Sequence, residues 1–120
     1  MMKRASKHRQ DLVVPASEDF VAAFGCDVNF DERSETEEYV FVDETGDTTE
    51  MWIGSFDRTF GLSIVKNNIE VISVFDACLS GVRIDEERQV ITITLGDDGA
   101  SQKLELSIWP RIKVSFSRKR

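Results

Sequence analysis

Two runs of alternating apolar residues flank a pair of asparagines, and this arrangement constrains the fold more than any other stretch of the chain. Phe60-Gly-Leu-Ser-Ile-Val-Lys66 is followed by Asn67-Asn68 and then by Ile69-Glu-Val-Ile-Ser-Val-Phe75. A two-residue type I′ hairpin turn needs positive φ at both central positions, and asparagine adopts it at little cost. The spacing predicts an antiparallel hairpin pairing Lys66 with Ile69, Ile64 with Val71, Leu62 with Ser73 and Phe60 with Phe75. One face then carries Phe60, Leu62, Ile64, Ile69, Val71 and Phe75. The other carries Gly61, Ser63, Val65, Glu70, Ile72, Val74 and Asp76. A slip of one residue exchanges the two faces, so burial of one of them should specify the register. Gly61 leaves room for a neighbouring side chain to lie across the strand.

The same period-two signal recurs along the chain. Asp11–Val14 reads as a short edge strand stopped by Pro15. Residues 16–24 have helix punctuation: Pro15 at the start, Glu18 and Asp19 in the first turn, Gly25 at the C′ position. Val28 and Phe30 suggest a brief strand, Tyr39–Val42 a longer one, Asp43-Glu-Thr-Gly-Asp47 a turn, and Thr48–Phe56 the returning arm. Asp76–Gly81 has the ends of a single helical turn. Val82–Asp85 and Gln89–Leu95 read as strands. Leu104, Leu106, Ile108, Ile112, Val114 and Phe116 all fall on even numbers across Pro110. They imply either one strand bent at the proline or two strands meeting at a corner.

The expected fold is mainly β: an antiparallel meander of about seven to eight strands forming a curled sheet or sandwich, with one short N-terminal helix near residues 16–24. An α+β arrangement with a more helical 76–88 region is the alternative. One globular domain should span residues 11–117, between a disordered basic tail at 1–10 and a basic tail at 118–120.

Several function classes find little to work with. No apolar run approaches the roughly 20 residues that cross a bilayer, and no apolar stretch of a signal peptide follows the basic N-terminus. Cytoplasmic residence is the expectation. Cys26 and Cys78 lack metal or redox spacing and read as two buried free thiols. The one histidine, His8, lies in the basic tail, a poor place for the base of a nucleophilic pair. Asp43–Asp47 and Gly96-Asp-Asp-Gly99 have calcium-loop residue types without calcium-loop spacing. Trp52 and Trp109 read as core aromatics rather than stacking platforms. No cofactor or metal is expected, and the chain reads as a binding protein rather than an enzyme.

Charge is the remaining signal. The net charge is −7, but residues 27–50 hold ten acids against one base, Arg33. The two terminal ten-residue segments together hold nine bases and no acid. Basic tails invite a nucleic-acid reading. However, residues 27–105 hold 19 acids against six bases, a surface that repels a polyanion. An acid-dense segment instead suits a basic protein partner. The candidate contact residues are Glu35, Glu37, Glu38, Asp43, Glu44, Asp47 and Glu50. In size and charge the chain is similar to bacterial immunity proteins, many of which are small, acidic, cytoplasmic and without motifs. That resemblance implies a non-enzymatic inhibitor that plugs the positive active site of a nuclease-type toxin. Two other readings are a module that forms a homo-oligomer through a β-edge such as Leu104–Phe116, and a β domain that holds a small ligand.

Overall fold

The computed structural model describes residues 12–76, 78–97 and 100–119. Residues 1–11, among them the basic tail expected to be disordered, and Ala77, Asp98, Gly99 and Arg120 lie outside the described residues.

The fold is mainly β: nine strands in two antiparallel sheets, with one short helix. The helix is α1 (Ser17–Phe24). The first sheet contains β1 (Asp27–Asp31), β2 (Thr36–Val42), β3 (Thr48–Gly54), β4 (Thr59–Lys66) and β5 (Ile69–Asp76). The second contains β6 (Leu79–Asp85), β7 (Val90–Asp97), β8 (Ala100–Ser107) and β9 (Lys113–Lys119). Within each sheet the strands lie in chain order, so both are meanders.

One hydrophobic cluster joins the sheets. Tyr39, Phe41, Met51, Ile53, Phe60, Leu62 and Ile64 enter it from the first sheet, and Leu79, Val82, Ile91, Ile93, Leu104 and Leu106 from the second. The alternating sequence pattern dictates this, since successive side chains on a strand point to opposite faces. The helix closes one side of the cluster. Phe20 is fully buried with its ring 4.4 Å from that of Tyr39, and Phe24 meets Phe41 edge-on at 5.6 Å. At its N-terminus the Asp19 carboxylate accepts from the Ala16 N–H, and at its C-terminus Gly25 takes a left-handed conformation at φ 64°. Gln89 Nε2 donates to the Ala23 carbonyl at 2.9 Å, tying the helix to the β6–β7 turn.

The central hairpin turns where the asparagines require it. Asn67 and Asn68 have φ of 53° and 64°, and Lys66 pairs with Ile69. Beyond the turn the pairing departs from the simple register. Val65 faces Glu70, but Ile64 faces Ile72, Leu62 faces Val74, Gly61 faces Phe75 and Phe60 faces Asp76. A β-bulge at Val71 adds one residue to β5 and shifts every later side chain by one position. Turn geometry alone would bury Ser73 opposite Leu62. The bulge turns Ile72 and Val74 towards the core instead and leaves Phe75 74% exposed.

Three further expectations are corrected, and one left open between two readings is settled. Residues 76–81 form no helical turn in their described part. The Asp76 carboxylate caps the Cys78 N–H at 2.7 Å, and β6 begins at Leu79 because Leu79 and Val82 are both drawn into the core. The 11–14 segment contributes an isolated parallel bridge, Val13 to Gly81, rather than a strand. Of the two readings of Leu104–Phe116, the two-strand one holds: β8 and β9 pair with each other and are joined through a cis Trp109–Pro110 peptide. Finally, Cys78 is exposed, and Cys26 alone of the two free thiols is buried.

Thr49 sits on the inner face between Phe41 and Ile64, and its buried hydroxyl has no hydrogen-bond partner among the described residues. An unpaired buried hydroxyl costs free energy that an apolar isostere avoids. Thr49→Val is therefore expected to raise stability by about 1 kcal/mol in urea titration. An equal loss would mean that the hydroxyl is satisfied.

A candidate docking face on the five-stranded sheet

The outward positions of the first sheet follow from its register. One cross-strand row reads Asn29, Glu38, Trp52, Gly61, Phe75. The next reads Asp27, Val40, Glu50, Ser63, Ser73. Beyond them lie Val42, Thr48, Val65 and Glu70 on one side and Asp31, Thr36, Gly54 and Thr59 on the other. Trp52 belongs to this face rather than to the core. A Cβ on Gly61 would lie only 2.8 Å from the Trp52 Cε3, so the indole rests directly on the glycine backbone. Gly61 provides the space expected of it, and Trp52 fills it. The half-buried indole is thus held in place with part of its ring in solvent. Five carboxylates share the face: Asp27, Asp31, Glu38, Glu50 and Glu70. The ion pairs Lys66–Asp47 and Arg88–Asp85 use none of them.

The seven acids singled out from the sequence do not form one cluster. Glu38 and Glu50 lie on the outward face. Glu35 is exposed in the β1–β2 turn at φ 54°, and Glu44 is exposed in the β2–β3 turn. Glu37 points the other way and accepts a hydrogen bond from the Tyr39 hydroxyl at 3.2 Å. Burial, reinforced by the Glu37 charge, pushes the Tyr39 phenol above its ordinary range. Asp47 is partly buried and paired with Lys66 at 3.3 Å.

Asp43 plays a different part. It is 4% exposed, and all of its described bonds are internal. Its Oδ1 accepts from the Thr45 N–H at 2.8 Å, the Thr45 hydroxyl at 2.7 Å and the Asp47 N–H at 3.1 Å. Its Oδ2 accepts from the Ile112 N–H at 2.8 Å, in the β8–β9 connection. Burial opposes the charge, but these hydrogen bonds outweigh it and hold the carboxyl below its usual range. Nearby, the Glu44 N–H donates to the Pro110 carbonyl and Lys66 Nζ to the Ile112 carbonyl. Three connections from two sheets therefore meet at Asp43 and Asp47. A carboxylate used this way offers nothing to a partner.

The thiols differ in reactivity for physical reasons. Burial, with a contribution from the Asp27 charge, pushes the Cys26 thiol up to about 11. A thiol-specific reagent at neutral pH should label Cys78 in the folded protein and Cys26 only on unfolding. Simultaneous labelling of both in the absence of denaturant would contradict this arrangement. Among the described residues no group of three or more His, Cys, Asp or Glu side chains is placed to hold a metal ion. No helix among them is long and apolar enough to cross a membrane.

The chain is similar in structure to a chain of the contact-dependent growth inhibition toxin–immunity protein complex from Klebsiella pneumoniae 342. The TM-score is 0.77 at 15% sequence identity, over 91% of this chain and 98% of that one. At that identity the likeness is one of fold. Protein-family models and curated protein sequences give no match.

Proposed function

We propose that this chain is a non-enzymatic, immunity-type binding protein. It docks a basic protein, in the concrete case a nuclease-type toxin, through the acidic segment 27–50, and it acts in the cytoplasm. The observation that carries this reading is the fold shared over 91% of this chain with a chain of a toxin–immunity complex. The charge distribution supports the same assignment: a nuclease active site must attract phosphates, so its inhibitor presents acids. Glu35, Glu38, Glu44 and Glu50 are the acids of the segment's original set that serve docking. Asp43, Glu37 and Asp47 support the fold.

The test is capture of a partner by the immobilised chain from source lysate at low and high salt, followed by reconstitution of the pair from purified components. One basic protein, retained at low salt and released at high salt, is expected. A variant reversed to lysine at Glu35, Glu38, Glu44 and Glu50 should not retain it. Equal recovery by both baits would remove the acidic segment from the interaction. The homo-oligomer reading is second. It is favoured by β9, which pairs on one side only. Against it, the strand is bounded by Lys113 and Lys119, and charged residues discourage edge-to-edge pairing.

A further inference from the structure

We propose that the outward face of the five-stranded sheet is the partner footprint, and that it takes an arginine-bearing cationic protein surface with one guanidinium laid on the Trp52 indole. This rests on the reading above and locates its contact surface, which the acidic segment as a whole does not define.

Three observations carry the proposal. First, the outward positions bring Asp27, Asp31, Glu38 and Glu50 together with Glu70, a residue well outside the acidic segment, and they include no lysine or arginine. The field over this face has one sign. Second, its centre has apolar groups beside the indole: Val40 lies diagonally across from Trp52 on the adjacent strand, and the exposed Phe75 pairs with the Gly61 beneath the ring. An apolar centre containing an aromatic anchor and ringed by polar groups is the composition of a protein–protein interface. Third, the indole is fixed on Gly61, so little rotamer freedom is lost when it is covered.

Arginine fits this face better than lysine. A guanidinium is planar and weakly hydrated, so it stacks on an indole while its N–H fork reaches neighbouring carboxylates. Glu38 on the adjacent strand and Glu50, two residues before Trp52 on the same face, flank the ring. Nucleic acid and anionic lipid are repelled by the same carboxylates. A second copy is disfavoured too, because two-fold pairing would set like charges of this face against one another.

The probes are a short oligoarginine peptide and an oligolysine peptide of equal length, titrated into the full-length, isotope-labelled chain. Amide chemical shifts give the footprint, and the Trp109→Phe variant separates the two indole signals. Oligoarginine should perturb Glu38, Glu50, Trp52, Ser63 and Phe75 first, and should bind about fivefold or more tightly than oligolysine. Trp52→Ala should remove that preference and leave weaker, salt-sensitive binding. Phe75→Ala, at an exposed position, should also weaken binding and provides a second variant if Trp52→Ala folds poorly. Shifts confined to the 32–35 and 43–47 turns would overturn the footprint while leaving an acidic docking role intact. No shifts with either peptide would overturn both. Sedimentation of the free chain should show a monomer; a dimer dissolved by Trp52→Ala would assign the face to a second copy and overturn the proposal.

Discussion

Asp43→Asn is expected to cost roughly 3 kcal/mol and to lower Tm by about 10 °C or more, although the substitution keeps the shape of the side chain. The carboxylate presents two acceptor oxygens to four donors, three from its own turn and one from Ile112. An amide has one oxygen. Whichever way it is oriented, its NH₂ meets an N–H of Ile112 or those of Thr45 and Asp47. At a position 4% exposed, water is poorly placed to relieve that opposition. Hydrogen bonds to a charged group contribute about 1.5–3 kcal/mol each, so losing even part of this set exceeds a typical surface substitution of about 0.5 kcal/mol. Glu44→Gln, one residue away and exposed, is the control and should change little. A loss for Asp43→Asn as small as the control's would show that this carboxylate does not hold its turn to Ile112.

The same group sets part of the acid response. Its folded-state pKa lies below the 3.8 of a free carboxyl. A depressed carboxyl contributes stability that is fully present well above the unfolded value and is lost as pH falls through the folded one. The stability gap between wild type and Asp43→Asn should therefore be constant near neutrality and narrow below about pH 4. Denaturation curves at several pH values measure it directly, and a gap that widens in acid would reverse the sign of the argument.

The second large effect is on association. Glu38→Lys combined with Glu50→Lys should slow association with the proposed basic partner by about ten- to a hundredfold at low ionic strength. Glu35→Lys combined with Glu44→Lys makes the same change in net charge at the turns and should slow it only a few-fold. Both pairs alter the long-range field equally. The first also places two cations beside Trp52, where a guanidinium would be repelled. Real-time binding at several salt concentrations separates the two contributions, because the long-range part fades as the Debye length shortens to about 8 Å at physiological ionic strength. Identical rates for the two double variants would mean that net charge alone steers the encounter.

Turn chemistry and strand alternation were legible in the sequence because both are local. Asn67-Asn68 requires the hairpin, Gly25 stops the helix, and Leu104, Leu106, Ile108 and Ile112 are all buried. What the sequence concealed depends on distant partners. The Val71 bulge is favoured because it buries Val74 rather than Ser73, and no turn rule reveals that choice. Asp76 and Gly81 resemble the ends of a helical turn, but Leu79 and Val82 are needed in the core of the second sheet. Asp43 was countable as one more acid. Its turn partners lie within four residues, but Ile112 is 69 residues away. For the candidate face, Glu70 stood outside the acidic segment, and the seat of Trp52 became apparent only when Gly61 was placed opposite it. The pairing of Gly61 with Trp52 was the one available signal, since a glycine inside a strand implies a close neighbour.

The order of strands in the two sheets has a consequence for how such a protein could change what it recognises. Every residue of the proposed face lies between Asp27 and Phe75, and the chain passes to the other sheet after Asp76. The proposed recognition face and its backing thus occupy successive halves of the sequence. A segment covering the first sheet could be exchanged as a cassette between homologous folds, giving a new specificity on an old support. The join to preserve in such a graft is the bond between Asp43 on one side and the Ile112 amide on the other.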